Sequence, residues 1–128
     1  MQYKSYPITP VPKPRMTQSD KWKMRPAVLR YRDFCDQVRA AGIELPDYGA
    51  VITFVLPMPN SWSKKKRIAM HGKPHQQKPD LDNLLKALAD AVHEDDSHIW
   101  NFGSVSKLWG NEGLIAISTV EVMRCEVV

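Results

Sequence analysis

Residues 81–93 narrow the folds open to this chain more than any other segment. At roughly 100° per residue, Leu81, Leu84, Leu85, Leu88 and Val92 fall within about 60° either side of one direction, and Asp82, Asn83, Lys86, Asp90 and His93 fall opposite. A helix so apolar on one side must lie on another layer. Residues 49–56 can supply it: the run is rich in β-branched and aromatic side chains (Val51, Ile52, Thr53, Phe54, Val55), is stopped by Pro57 and Pro59, and reads as a central strand. Residues 1–8 predict a short first strand. Residues 99–108 and 114–123 predict two more, joined by Trp-Gly-Asn-Glu-Gly as an antiparallel hairpin. A further helix starts at Pro26, carries Ala27, Tyr31, Phe34, Val38 and Ala41 at steps of three and four, and ends at Gly42. The order β-α-β-loop-α-β-β predicts an α/β (α+β) fold, a small mixed sheet with two main helices.

The chain has 128 residues, enough for one domain spanning 1–128 and too few for a second sizeable core. No stretch approaches the roughly 18 to 20 apolar residues of a membrane span. The first six residues lack the apolar segment of a secretory signal, so a cytoplasmic protein without a membrane partner is expected. Cys35 and Cys125 have neither C-x-x-C nor histidine spacing around them, so neither a zinc motif nor a disulfide framework is suggested; both are expected to be reduced and partly buried.

Charge is segregated along the chain. Residues 1–32 hold eight basic side chains against one acid, and residues 57–79 hold six against none. Residues 80–98 reverse the sign, with six acids against Lys86 alone. Each block taken singly could be a solvated face. Together they suit an enzyme of nucleic acid, in which cations hold phosphates and carboxylates hold a metal. The basic stretch 57–79 has four prolines and no lasting apolar period, and is expected to be a long functional loop. Within it, Trp62 is either an anchor to the core or an insert at an unstacked base step.

Asp80 and Asp82 stand where that loop meets the helix, and residues two apart share a side while the chain is extended. The plainer alternative is an N-cap at Asp82 with Asp80 favouring the helix dipole. A cap leaves Asp95 and Asp96, after the helix, unexplained. Gathered carboxylates must share protons or bind a cation, and oxygen-only ligands point to Mg²⁺, with Mn²⁺ possible. Lys86 lies one turn from both Asp82 and Asp90. That stripe is either an exposed ion-pair ladder or a lysine poised for a phosphate. Asn83 is either a helix-start residue or a donor to a phosphate. His71, His75, His93 and His98 show no H-E-x-x-H spacing, and none is assigned to catalysis.

The segment KPDLDNLLKALADA from Lys78, followed by DDSHI from Asp95, resembles the RusA family of Holliday-junction resolvases of bacteria and phages. Val11-Pro-Lys-Pro-Arg after the first strand resembles the family's amino-terminal P-x-P-K-x-R pattern. The resemblance implies metal-binding aspartates at Asp80, Asp82 and Asp96, with Asp95 beside the last, and a catalytic lysine at Lys86. It implies a phage or prophage protein in a bacterial host cell, a homodimer that binds four-way DNA junctions and hydrolyses symmetrically placed phosphodiesters with Mg²⁺, without a small-molecule cofactor. Lys13, Arg15, Lys64, Lys65, Lys66, Arg67, Lys73 and Lys78 are the expected DNA-binding residues. Two alternatives stay open: a branched-DNA-binding protein that does not cut, and a broader flap or fork nuclease.

Overall fold

Pro26 and Gly42 bracket the first helix as their backbone chemistry dictates, proline at its first turn and glycine at φ +68° beyond its end. The computed structural model describes residues 3–15, 25–93, 95–122, 124, 126 and 127. Cys125, Glu94 and the expected strand ends at Met1, Gln2 and Met123 lie outside the described residues. The elements are β1 (Lys4–Tyr6), α1 (Pro26–Ala40), β2 (Ala50–Pro57), α2 (Lys64–Met70), α3 (Leu81–Val92), β3 (Phe102–Gly110) and β4 (Leu114–Thr119). They form an α+β fold around one four-stranded mixed sheet, in the order β1-β4-β2-β3. No helix among the described residues is long and apolar enough to cross a membrane.

β2 is central, parallel to β3 on one side and antiparallel to β4 on the other. This corrects the expected β3–β4 hairpin. The chain does bend sharply between Gly110 and Leu114, but Val55 pairs with both Leu108 and Leu114, so β2 lies between the two strands. β1 completes the sheet, antiparallel to β4.

Ile52, Phe54 and Leu56 of β2 share one buried cluster with Ile115 and Ile117 of β4, Tyr31, Phe34 and Val38 of α1, and Leu84 and Leu88 of α3. Each fully buried side chain of this size contributes about 1.5–3 kcal/mol. α3 is enclosed more widely than its leucine stripe requires, because Ala87, Ala89 and Ala91 are buried as well. Small residues there let α1 approach closely, and Arg39 of α1 donates to the Ala91 carbonyl near the end of α3. Cys35 is a free, buried thiol.

The expectation of a loop throughout 57–79 is also corrected, since α2 forms inside it. The hydroxyl of Ser63 accepts from the Lys66 N–H, capping a helix with no buried residue. After α2, residues 72–75 run along the outer edge of β3. Gly72 donates to the Trp109 carbonyl at 2.8 Å, Trp109 to Lys73 at 3.0 Å and His75 to Lys107 at 3.0 Å. A strand edge that would present open backbone groups is thereby covered.

Truncating Leu88 to Ala removes a side chain from the centre of this packing. The expected loss is about 3 kcal/mol of unfolding free energy, read by urea titration.

Candidate active site

The start of α3 is built by the strand-like segment that covers β3. Asp80 occupies the N-cap with extended backbone (φ −69°, ψ 144°), yet its side chain makes no capping bond. Its carboxylate instead takes the Lys78 ammonium at 3.0 Å, in a pair whose side chains are 52% and 85% exposed. An ion pair so open to solvent holds neither partner firmly. The alternative of an N-cap at Asp82 is not met either, since the N-cap position falls on Asp80 and Asp82 sits inside the first turn, exposed, where its charge favours the dipole.

Of the two readings of Asp82, Lys86 and Asp90, the ion-pair ladder does not form among the described residues. Asp90 pairs with Lys13 at 2.5 Å, each side chain 30% exposed, and Lys86 has no ion pair among the described residues. Lys13 belongs to the proline-broken strap after β1, in which Ile8 and Pro10 are buried and Val11 packs on the core. The Lys13 N–H also points at the Asn83 carbonyl, at 3.5 Å. Strap and helix together border an open depression of about 430 Å³ lined by Lys13, Pro14, Arg15, Asn83 and Lys86. Three cations and an amide, with no carboxylate in the lining, suit an anion such as a phosphate.

Asp95 and Asp96 lie at the other end of the helix. Twelve residues make α3 about 18 Å long, and the segment after it is pinned where it stands. His98 is bonded to the Asp47 carboxylate at 2.6 Å, and the Trp100 N–H donates to the Asp47 carbonyl at 2.9 Å, tying the segment to the loop that leads into β2. Tyr48 and Trp100 stack there, with ring centroids 5.5 Å apart. The Asp95 carboxylate accepts the Ser97 N–H at 2.9 Å in a tight turn, and that bond, with the Ser97 hydroxyl and then His98, holds the carboxyl below its usual range. Asp96 is exposed and has no side-chain partner among the described residues.

The gathering of Asp80, Asp82 and Asp96 is thus not found within one chain. Among the described residues no group of three or more His, Cys, Asp or Glu side chains is close enough to hold a metal ion. The reason is the helix length, since the described residues after α3 are bound to Asp47 before β2 and not to the start of the helix.

The other expected DNA-binding side chains are presented on one arm. Lys64, Lys65, Lys66 and Arg67 lie on α2, Lys66 above the Trp62 ring at 4.2 Å and Arg67 donating to the Asn60 side chain at 3.3 Å. Trp62 is an anchor, its ring 4.7 Å from that of Trp109. Lys73 is exposed on the segment that follows.

Two residues of this region make contacts to which the sequence did not point. Lys107 of β3 donates its ammonium to the carbonyls of Gln77 at 2.5 Å and Pro79 at 2.7 Å, just before Asp80. His75 is 4% exposed and packed on Trp109, with ring centroids 3.9 Å apart. Burial, then the nearby Lys107 charge, depresses its proton affinity, and its Nδ1 accepts the Gln77 N–H. A signal existed for Lys107: alternation puts it on the inward face of a strand between Val105 and Trp109, where a charge is unusual.

Exposed cations, together with the carboxylates of Asp82 and Asp96 that have no side-chain partner among the described residues, suit a protein that works on nucleic acid. Residues 7–119 match the sequence model of the family described as Endodeoxyribonuclease RusA. The match spans most of the 128 residues, and the chain belongs to that family of endodeoxyribonucleases, which act on branched DNA junctions. No curated protein matches the chain at a significant level.

Because folding depresses the proton affinity of His75, its neutral form favours the native state above its ordinary value of 6.5, and that contribution is lost as pH falls below 6.5 towards the folded value. Replacing His75 with Asn keeps an acceptor for Gln77 and removes the titration. Urea midpoints measured between about pH 7 and pH 5 should fall less steeply for His75→Asn than for the unaltered protein.

Proposed function

We propose that this protein is a divalent-metal-dependent endonuclease that resolves four-way DNA junctions by symmetric phosphodiester hydrolysis, and that it does so as a homodimer. The observation that carries the reading is the state of the carboxylates. Asp82 and Asp96 are exposed and without side-chain partners among the described residues, and Asp80 leaves its capping role unused. Oxygen donors of this kind suit Mg²⁺ or Mn²⁺. The separation within one chain argues for a site completed between two chains, with Asp80 and Asp82 of one protomer meeting the partner's Asp96.

Charge supports that arrangement. Arg15, Lys78 and Lys86 lie at the beginning of α3, whereas the far end carries Asp47, Asp95 and Asp96 alongside Arg39. Side-by-side pairing of two chains about a twofold axis matches opposite charges at both ends and forms the site twice. A four-way junction has the same symmetry. Commitment of Asp95 to its turn favours Asp96 as the ligand.

In this reading the strap and α3 seat the reacting phosphate, with Arg15 and Lys86 neutralising its charge and Asn83 donating from the same wall. Lys13 is shared with Asp90, so its main task is to hold the strap against the helix. Lys64, Lys65, Lys66, Arg67 and Lys73 track the backbone of an arm, and Lys78 lies between that surface and Asp80. A divalent ion, when bound, polarises the phosphate and lowers the pKa of an attacking water.

Asp82→Asn should retain junction binding in EDTA and lose at least about 100-fold in Mg²⁺-dependent cutting of a synthetic four-way junction. Undiminished cutting would refute the metal role. Mixing Asp82→Asn with Asp96→Asn chains tests the shared site more sharply, because a mixed dimer then contains one intact site and one doubly altered site. Cutting should reappear in the mixture although each variant alone is inactive; continued silence after verified subunit exchange places each site within one chain. Replacing Lys64, Lys65, Lys66 and Arg67 with Ala should weaken junction binding and reduce the slope of log affinity against log salt by about one for every phosphate no longer neutralised.

A further inference from the structure

We infer that Lys107 is a positioning residue for the Asp80–Asp82 carboxylate pair, a role that rests on the metal-binding reading above. Its register places it opposite Phe54, whose side chain is fully buried, and between Val105 and Trp109 on the face of the sheet that meets the helices. A lysine in such a strand ordinarily carries its ammonium out to water or to a carboxylate. This one meets no carboxylate among the described residues. It donates to the backbone carbonyls of Gln77 and Pro79, the two acceptors flanking Lys78, in the last turn of chain before Asp80.

The same residue grips the segment twice. Its backbone carbonyl accepts the His75 N–H at 3.0 Å, so residue 75 is fixed by the main chain of β3 and residues 77 and 79 by the side chain. Charge-assisted bonds are shorter and about twice as strong as neutral ones, and each removes a way for the segment to swing. The consequence falls on Asp80. Its side chain makes no bond to its own helix, so the direction in which it leaves is set by the backbone before it, which Lys107 holds. Asp82 follows in the first turn, and its placement depends on where that turn begins. A metal-binding pair needs this, since like charges without an ion repel and would otherwise spread apart.

The test uses the full chain without DNA and compares the unaltered protein with Lys107→Met and Lys107→Arg. Mn²⁺ binding is followed by the electron paramagnetic resonance signal of the free ion. Amide hydrogen exchange is measured in EDTA at His75, Gln77 and Leu84, whose N–H groups are bonded to Lys107, His75 and Asp80 respectively. Lys107→Met should weaken Mn²⁺ binding at least fivefold and speed exchange at those amides at least tenfold, leaving the β2 and β4 amides unchanged. Lys107→Arg, which keeps a cation with several donors, should return Mn²⁺ affinity to within about twofold of the original. Mn²⁺ binding within twofold of the original in Lys107→Met overturns the role, and so does a uniform rise in exchange across the sheet, which would mark general destabilisation. Where Lys107→Met does not fold, Lys107→Gln, which is neutral and shorter, takes its place with the same expected fivefold and tenfold changes, and Mn²⁺ binding within twofold of the original overturns the role in the same way. An unaltered protein that binds no Mn²⁺ defeats the metal reading itself, an outcome separate from an unaffected Lys107→Met titration.

Discussion

Everything at the candidate site depends on the burial of α3 between α1 and the sheet. Leu84 and Leu88 are fixed in the same cluster as Phe34, Val38 and Phe54, and Ala87, Ala89 and Ala91 are buried beside them. With the inner face settled, the outer face has one possible composition: Asp82, Asn83, Lys86 and, partly shielded by the strap, Asp90. Polar residues are thus held at known positions by apolar ones behind them, which is how a rigid element supports chemistry more accurately than a loop does. The strap adds the second wall. Its prolines keep it extended, and Lys13 ties it to Asp90 on the helix it crosses.

The segment between β2 and α3 does several tasks at once. It carries the basic helix α2 outward, anchors it through Trp62 on Trp109, covers the exposed edge of β3 and delivers Asp80 to the helix start. A stretch so rich in polar and charged side chains, with no buried residue in its helix, would be expected to wander. Packing on β3 restrains it instead, through the aromatic stack on Trp109 and the backbone bonds to Lys107 and Trp109.

Periodicity made the two long helices legible, because leucines at three- and four-residue steps in 81–93 and apolar residues at like steps after Pro26 leave little alternative. β2 was legible as a central strand because both its faces are apolar. The pairing of β3 was not, since the Trp-Gly-Asn-Glu-Gly bend reports a change of direction and carries no information about which strand lies alongside. α2 was missed because four adjacent cations give no apolar period, although Ser63 three residues before Lys66 was a capping signal of the ordinary kind. At the site, the spacing of Asp80 and Asp82 pointed to the helix start, and the separation of Asp96 follows from helix length together with the bonds that tie the next segment to Asp47. The clamp by Lys107 joins residues 28 and 30 positions apart and is a tertiary fact, visible beforehand only as a charge on an inward face.

The placement of β2 between two strands joined by a short bend also constrains how the chain reaches this state. Leu108 and Leu114 cannot zip directly together; each must wait for Val55, far earlier in the sequence, to arrive between them. Assembly of the sheet is therefore governed by long-range closure, which slows folding relative to a chain of local hairpins. During biosynthesis β2 emerges well before its neighbours and must remain unpaired until both have followed, so its apolar faces are the segment of this protein most in need of early shelter from α1.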